Sequence, residues 1–278
     1  MSKNSVFKKR RLLLAKYMEP NSTAIISSSP IQIRNNDSAY RYRQCSNFYY
    51  LTGFEKPDSV LLIYKDRSNS VAHFFSKQPN KHDSVWSGEL MTSRKIQNIY
   101  GFDKCGYTEN LELELYSYLK KSKSIYHSLS KQSDLMTLVD GCLQKIENNY
   151  RKGAELPSNH YSINKIVHKL RLIKSSEEIA IIKKACKISA DAHINLMSKC
   201  KPNVSEKKIE SQLLYDFGSN NATEAYTSIV AGGKNACILH YIDNSSNWKN
   251  GDLLLTDAAC EFEYYASDIT RTIPFNVE

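Results

Sequence analysis

Two aspartates interrupt strand-like apolar stretches near the C-terminal end of the sequence. Asp257 follows the run Leu253–Thr256, and Asp268 stands eleven residues later in a second run. The residues between them, Glu261–Glu263, can turn the chain, so an antiparallel hairpin would set the two side chains next to each other. Two carboxylates in an apolar interior repel, so one is protonated, basic groups compensate, or a cation lies between them.

The cation alternative predicts a particular chemistry. Magnesium and manganese take oxygen ligands, and two such ions about 3.5 to 4 Å apart activate a water molecule for hydrolysis. The competing interpretation is that Arg271 pairs with Asp268 while Asp257 merely lies at a strand end. Two acidic residues at this spacing form a weak motif, so both interpretations stay open at this point.

His240 is a third polar interruption, within the apolar segment Cys237–Ile242. A single histidine in such a segment is more often a hydrogen-bonded core residue than a catalytic one. Its position in the same series of strands as Asp257 favours a functional role.

The elements that would position these residues form the second part of the chain. A helix is predicted over Lys174–Cys200, because Ser175 and Glu178 form a capping box and an apolar stripe follows. The stripe predicted to face the core comprises Ile179, Ile182, Cys186 and Ala190. A second helix is predicted over Ser205–Phe217 with Ile209, Leu213 and Phe217 on its buried face, and strands are predicted over Tyr226–Ala231, Cys237–Ile242, Leu253–Ala258 and Tyr264–Phe275.

The first part of the chain alternates strand and helix patterns, which indicates an α/β domain. Strands are predicted over Thr23–Ser27, Phe48–Leu51, Ser59–Tyr64 and Val71–Phe75, and helices over Asn110–Lys121 and Asp134–Asn149. A polar stretch with Gly153 and Pro157 places the predicted domain boundary after residue 157, giving domains 1–157 and 158–278.

Composition restricts the classes of protein to which the chain can belong. With 278 residues, 41% hydrophobic and only 10 Gly and 7 Pro, it is neither collagen-like nor of low complexity. The net charge of +9 comes mainly from scattered lysines, which does not favour nucleic-acid binding. No apolar run reaches membrane-spanning length, and the seven isolated cysteines favour a reducing compartment, so we expect a cytoplasmic protein without membrane contact.

Four ordered motifs resemble those of aminopeptidase P, the Xaa-Pro aminopeptidases among the pita-bread metallopeptidases. They lie in Arg34–Phe54, Val167–Ile179, Ser228–Tyr241 and Gly251–Asn276. The resemblance covers almost the whole chain. It implies an α/β N-terminal domain followed by the first half of an α+β pita-bread (creatinase/aminopeptidase) catalytic domain.

The resemblance also implies an activity and roles for individual residues. The family removes an N-terminal residue that precedes proline, with a dinuclear site, usually manganese (Mn2+), held by two Asp, one His and two Glu. Asp257 and Asp268 match the two Asp ligands, and His240 matches the histidine that contacts substrate near the scissile bond. Asp37, Trp86 and Tyr226 match positions that shape the substrate pocket. The implied partners are peptides with proline at the second position, with a homo-oligomer as one option.

The sequence departs from the family pattern at two places. The residues after Trp86 lack the usual Arg and Gly pattern, and the sequence ends at Glu278, soon after the second Asp ligand. Three of the five expected ligands would follow that point, so we expect an impaired enzyme or a fragment. The alternative is a non-catalytic peptide-binding pita-bread module, and prolidase and creatinase share the same catalytic fold.

Overall fold

The computed structural model describes residues 3–128, 134–199, 201 and 203–274. The chain forms two compact units, residues 1–173 and 174–278. The sequence analysis placed the boundary earlier, after residue 157. The units divide later because helix Ile163–Leu172 packs its buried Ile163 and Val167 into the core of the first unit.

A mixed sheet forms the centre of the first unit. Its strands are β1 Ser22–Ser27, β4 Ser59–Lys65, β5 Ser70–Ser76, β6 Lys104–Tyr107, β7 Ser124–His127 and β8 Asn159–Ser162. In the described residues these six strands lie in the order β6-β5-β4-β1-β7-β8. The β5-β4 and β4-β1 pairs are antiparallel, and the other three pairs are parallel. A separate two-stranded ribbon is formed by β2 Ile33–Asn35 and β3 Ser38–Ala39.

Helices pack on both faces of this sheet. The helices of this unit are α1 Lys3–Tyr17, α2 Ser46–Thr52, α3 Lys81–Ser87, α4 Ser93–Tyr100, α5 Leu111–Leu119, α6 Asp134–Glu147 and α7 Ile163–Leu172, with short 3-10 turns at Thr108–Asn110 and Tyr150–Lys152. Ile25 of β1 belongs to the core beneath α5 and α6, whereas Ala24 and Ile26 belong to the core beneath α1, α2 and α7. This alternation is the period of two that a strand buried on both faces requires, so the predicted α/β architecture is confirmed.

The predicted strand Phe48–Leu51 is wrong, because these residues lie in helix α2. A run of four consecutive apolar residues is compatible with either a strand or a helix that is buried all round. Gly53 ends the helix with φ 68°, and its N–H donates to the carbonyl of Tyr49 at 2.7 Å. The helix is therefore specified by its C-terminal glycine rather than by its periodicity.

The second unit packs two helices against two small sheets. Its helices are α8 Ser176–Lys199 and α9 Glu206–Ser219, and its strands are β9 Thr223–Glu224, β10 Ile229–Gly232, β11 Leu253–Asp257, β12 Cys260–Phe262, β13 Tyr265–Ala266 and β14 Thr270–Pro274. One antiparallel sheet has the order β10-β11-β14 and the other β13-β12-β9. Among the described residues, no helix of either unit is long and apolar enough to cross a lipid bilayer.

Helix α8 begins as predicted but buries a different face. Ser175 and Glu178 form the capping box, with each main-chain N–H bonded to the other residue's side chain at 3.0 and 3.4 Å. The predicted core stripe is wrong, because Ile179 and Cys186 are exposed. The buried stripe comprises Ala185, Ile188, Ala192 and Leu196. The helix carries apolar residues on more than one side, so spacing alone did not identify the buried face. In α9 the predicted face of Ile209, Leu213 and Phe217 is buried.

The predicted strand Cys237–Ile242 is also wrong. A 3-10 turn, Gly233–Cys237, leads into an irregular segment in which Ile238, Leu239 and His240 are exposed. Because Ile238, Leu239 and His240 are exposed, water can satisfy their backbone polar groups without a strand partner. The last predicted strand runs to Phe275, which lies outside the described residues.

Candidate functional site

Asp257 and Asp268 lie together on an antiparallel double hairpin. Strand β11 ends at Asp257, which pairs with Thr270 at the start of β14. Between them, β12 and β13 are joined by a two-residue turn at Glu263 and Tyr264, whose φ values are 47° and 68°. The turn overlaps the predicted Glu261–Glu263 segment at Glu263, and it returns the chain so that Asp268 precedes β14 next to the end of β11.

One hydroxyl group joins the two carboxylates. Tyr226 Oη donates to Asp257 Oδ1 at 2.6 Å and lies 3.2 Å from Asp268 Oδ1. Burial raises the pKa of Tyr226 above its usual value, and the hydrogen bond and charge of Asp257, followed by Asp268, add to the rise. The predicted juxtaposition of the aspartates is therefore confirmed, although Asp257 is half-buried and Asp268 is exposed rather than both lying in the core.

Ion pairing does not neutralise the two aspartates within the described residues. Arg271, the partner considered from sequence, donates to the carbonyl of Thr270 at 2.7 Å. Within residues 3–128, 134–199, 201 and 203–274, neither Asp257 nor Asp268 forms an ion pair with a lysine or arginine. Two negative charges that share one proton donor and lack a cation form a site suited to a hard divalent metal.

His240 reaches the same place from a different element. An open cavity of about 460 Å³ is lined by Tyr226, Thr227, Ile229, His240, Ile242, Asp257 and Asp268. The lining combines apolar Ile229 and Ile242 with the two carboxylates and with His240, which is exposed. The same cavity therefore offers apolar surface for a side chain, carboxylates suited to a cation, and an imidazole.

Helix α8 forms hydrogen bonds with the residue next to each aspartate. His193 Nε2 donates to the carbonyl of Ala258 at 2.8 Å, and Ser189 Oγ lies 2.8 Å from Ser267 Oγ. Ser189 also accepts the N–H of Cys260 at 2.9 Å. Burial lowers the pKa of His193, which is consistent with a neutral ring donating to that carbonyl. The anchored residues directly follow Asp257 and directly precede Asp268.

Ser189 and His193 were missed as positioning residues by the sequence analysis. They stand four residues apart on the buried side of α8, where each is a polar residue beside the apolar stripe. Polar residues at helical spacing on a buried face require hydrogen-bond partners, and this is the signal that could have identified them.

The other predicted site residues lie in the first unit. Asp37 is exposed in the turn between β2 and β3. Trp86, in the short helix α3, is 81% exposed. Their roles in a substrate pocket remain predictions. In the described part of the chain, no group of three or more His, Cys, Asp and Glu side chains is arranged to hold a metal.

Comparison with known proteins gives consistent matches for both units. Residues 7–126 match the aminopeptidase P N-terminal domain, and residues 180–278 match metallopeptidase family M24. The Xaa-Pro aminopeptidase of Escherichia coli (strain K12) is 35% identical over 272 residues, which are 97% of this chain and 62% of that protein. The predicted fold class, an N-terminal domain of this type followed by part of a pita-bread domain, is confirmed.

Solved structures agree with the sequence comparison. Proline aminopeptidase P II from Yersinia pestis superimposes with a TM-score of 0.94 at 35% identity, covering 98% of this chain and 63% of that chain. Zinc-substituted E. coli aminopeptidase P in complex with product gives a TM-score of 0.95 at 34% identity, covering 98% of this chain and 62% of that chain. This chain therefore spans somewhat less than two thirds of the length of these relatives.

Proposed function

The chain belongs to the aminopeptidase P family of M24 metallopeptidases, and from this premise we propose that it contributes the aspartate side of a divalent-metal site for Xaa-Pro peptide hydrolysis. The observation that carries the proposal is the convergence of Asp257 and Asp268 on one hydroxyl group, in a cavity that His240 also lines. The relatives named Xaa-Pro aminopeptidase support the reaction class.

The residues of this chain have distinct tasks in the proposed reaction. Asp257 and Asp268 would hold the cation, which when bound polarises the scissile carbonyl and lowers the pKa of a water molecule. Tyr226 keeps both carboxylates aimed at one point. His240, which lines the same cavity, is placed to hydrogen-bond the substrate next to the bond that breaks. The apolar wall at Ile229 and Ile242 would pack against the substrate and exclude water.

The finer parts of the proposal rest on the family resemblance. Manganese is the proposed metal, and peptides with proline at the second position are the proposed substrates. The resemblance implies five ligands, of which the described residues supply two. We expect the 278 residues alone to bind a cation weakly and to hydrolyse peptides poorly, because two carboxylates satisfy only a fraction of the positions around a divalent ion. The free cysteines of the described residues support the proposed cytoplasmic location.

A binding and hydrolysis experiment on the same preparation tests the proposal. The purified chain is titrated calorimetrically with Mn2+ and then assayed for release of the N-terminal residue from an Xaa-Pro peptide and its Xaa-Ala counterpart. We expect weak Mn2+ binding that Asp257→Asn abolishes, and hydrolysis far below that of the full-length E. coli relative. Unchanged Mn2+ binding by Asp257→Asn would refute the site. Rapid Xaa-Pro hydrolysis that Asp268→Asn removes would refute the expected impairment.

The same experiment addresses the non-catalytic alternative. The lack of a three-residue metal cluster in the described part of the chain is the observation that favours it. A peptide-binding module would bind the Xaa-Pro peptide equally well with Mn2+ and with EDTA, and it would release no product. Peptide binding that requires Mn2+ would exclude this alternative.

A further inference from the structure

Glu206 is a fully buried carboxylate outside the aspartate cluster. It lies at the start of α9, and none of its surface is exposed. Oε1 accepts the N–H of Gly232 at 2.8 Å and the Asn235 amide at 3.1 Å. Oε2 accepts the hydroxyl of Tyr241 at 2.8 Å and the N–H of Ser246 at 2.9 Å. All four partners are neutral donors.

Burial of such a group is costly in free energy. A buried carboxylate loses its hydration, and four neutral hydrogen bonds offset that loss only in part. A helix start needs no buried acid, since Ser205 already caps α9 by accepting the N–H of Lys208 at 3.2 Å. We therefore attribute the burial of Glu206 to the segment with which its carboxylate forms hydrogen bonds.

That segment contains His240. Two donors to Glu206, from Gly232 and Asn235, precede the histidine in the chain, and two, from Tyr241 and Ser246, follow it. The main chain adds a fifth bond, from Glu206 N–H to the carbonyl of Ser246 at 2.9 Å. The segment forms no strand here, so these bonds replace the ladder that would otherwise define its path.

Asn244 supports the far side of the same segment. It is fully buried with φ 47°, its amide donates to the carbonyl of Ser228 at 2.8 Å, and its Oδ1 accepts the N–H of Val230 at 2.9 Å. These contacts tie the segment to β10, next to the cavity wall at Ile229. His240 and Leu239 form the exposed tip between the anchors.

We propose that Glu206 is a positioning residue for His240, holding through its two oxygens the segment that presents the imidazole to the cavity of Asp257 and Asp268. The role of His240 in the site rests on the proposed function. The hydrogen bonds that connect Glu206 to the His240 segment do not depend on it. Glu206 would then act through the His240 segment, without itself binding the metal or transferring a proton.

Glu206→Gln tests the link with almost no change in volume. A glutamine offers one carbonyl oxygen and one NH2, so it cannot accept both the Gly232 and the Ser246 N–H groups. The matched control is Glu210→Gln, one turn further along α9. Glu210 is also buried, at 5% exposure, but its carboxylate pairs with Lys207 and does not contact the His240 segment.

Two readouts report on the segment without requiring activity. By NMR of histidine-labelled protein, we expect the His240 ring signal to shift or broaden in Glu206→Gln and to keep its position in Glu210→Gln. By hydrogen exchange, we expect the Gly232 and Ser246 amides to exchange at least tenfold faster in the first variant only. Equal effects of the two variants on His240, or no effect of Glu206→Gln, would overturn the inference.

Further measurements separate this inference from folding and from the proposed function. If Glu206→Gln does not fold, Tyr241→Phe keeps the carboxylate and removes one of its four bonds, together with the hydroxyl that accepts the Asn235 amide and the Ser245 N–H, and it should also shift the His240 signal. Mn2+ binding should be unchanged in Glu206→Gln, because neither Asp257 nor Asp268 is a hydrogen-bond partner of Glu206. Absence of Mn2+ binding in every protein, with a selective His240 shift, would refute the metal site and leave the positioning role standing.

Discussion

Neutralising Asp268 should have opposite effects on stability with and without a divalent cation. The perturbation is Asp268→Asn, which keeps an oxygen for the Tyr226 hydroxyl and removes one charge. Tyr226 Oη lies 2.6 and 3.2 Å from the two carboxylate oxygens, so these oxygens lie at most 5.8 Å apart, and two unit charges at that separation repel by roughly 0.7 kcal/mol at the dielectric constant of water and about 3 kcal/mol at 20. Because Asp268 is exposed, the lower part of this range applies.

We therefore expect the variant to be more stable than the parent by about 1 kcal/mol in EDTA, which is roughly 4 °C in Tm for a unit of this size. Mn2+ at ten times its dissociation constant should stabilise the parent by about 1.4 kcal/mol and leave the variant unchanged. The assay is thermal unfolding followed by circular dichroism, in EDTA and across a Mn2+ titration.

Asp191→Asn provides the control in the same unit. Asp191 forms an exposed ion pair with Lys187 at 3.0 Å, so its neutralisation should cost about 0.4 kcal/mol and preserve the response to Mn2+. If Asp268→Asn loses stability in EDTA and keeps the Mn2+ response, then the carboxylates do not repel and do not bind the ion together, and the reasoning about the site fails.

Two further predictions concern the first unit. Burial lowers the pKa of His73 to about 4, so the folded state binds fewer protons than the unfolded chain; stability is fully present above about pH 6.5 and is lost as the pH falls toward 4. His73→Gln should flatten this acid dependence in urea titrations at pH 7 and pH 4.5, and an unchanged slope would contradict it. Gly53→Ala should destabilise the unit by more than about 1 kcal/mol, because φ is 68° and the new Cβ would clash with the Phe7 ring. Gly88→Ala, at φ 76° with open space around it, isolates the conformational part of that cost, so equal losses would show that the Phe7 contact is unimportant.

The sequence predicted the juxtaposition of Asp257 and Asp268 correctly, but it predicted several of the surrounding elements wrongly. The pairing of Asp257 with Asp268 followed from two polar interruptions and a turn between them, because a hairpin offers few other arrangements. Phe48–Leu51 was assigned wrongly because four adjacent apolar residues carry no period. His240 was placed in a strand because its segment is apolar, and the long-range bonds from Glu206 that exclude a strand leave no local signal.

The face of α8 shows the same limit. The start of this helix was identified correctly from Ser175 and Glu178, since a capping box is a local signal. The choice between two apolar stripes depends on what packs against the helix, and that information is distributed over the rest of the unit. The roles of Ser189 and His193 depend on carbonyl and amide groups of a hairpin more than sixty residues away, so they became apparent only in three dimensions.

The bonds from α8 to the hairpin have a consequence for the thermodynamics of ligand capture. His193 and Ser189 hold main-chain atoms rather than the aspartate side chains, so the backbone at the site is already in place before any ion arrives. An arriving ion then needs to order only two short side chains, each with two torsions. The entropy of association should consequently be dominated by released water, and structures determined with and without the ion should share one backbone path through residues 257–268.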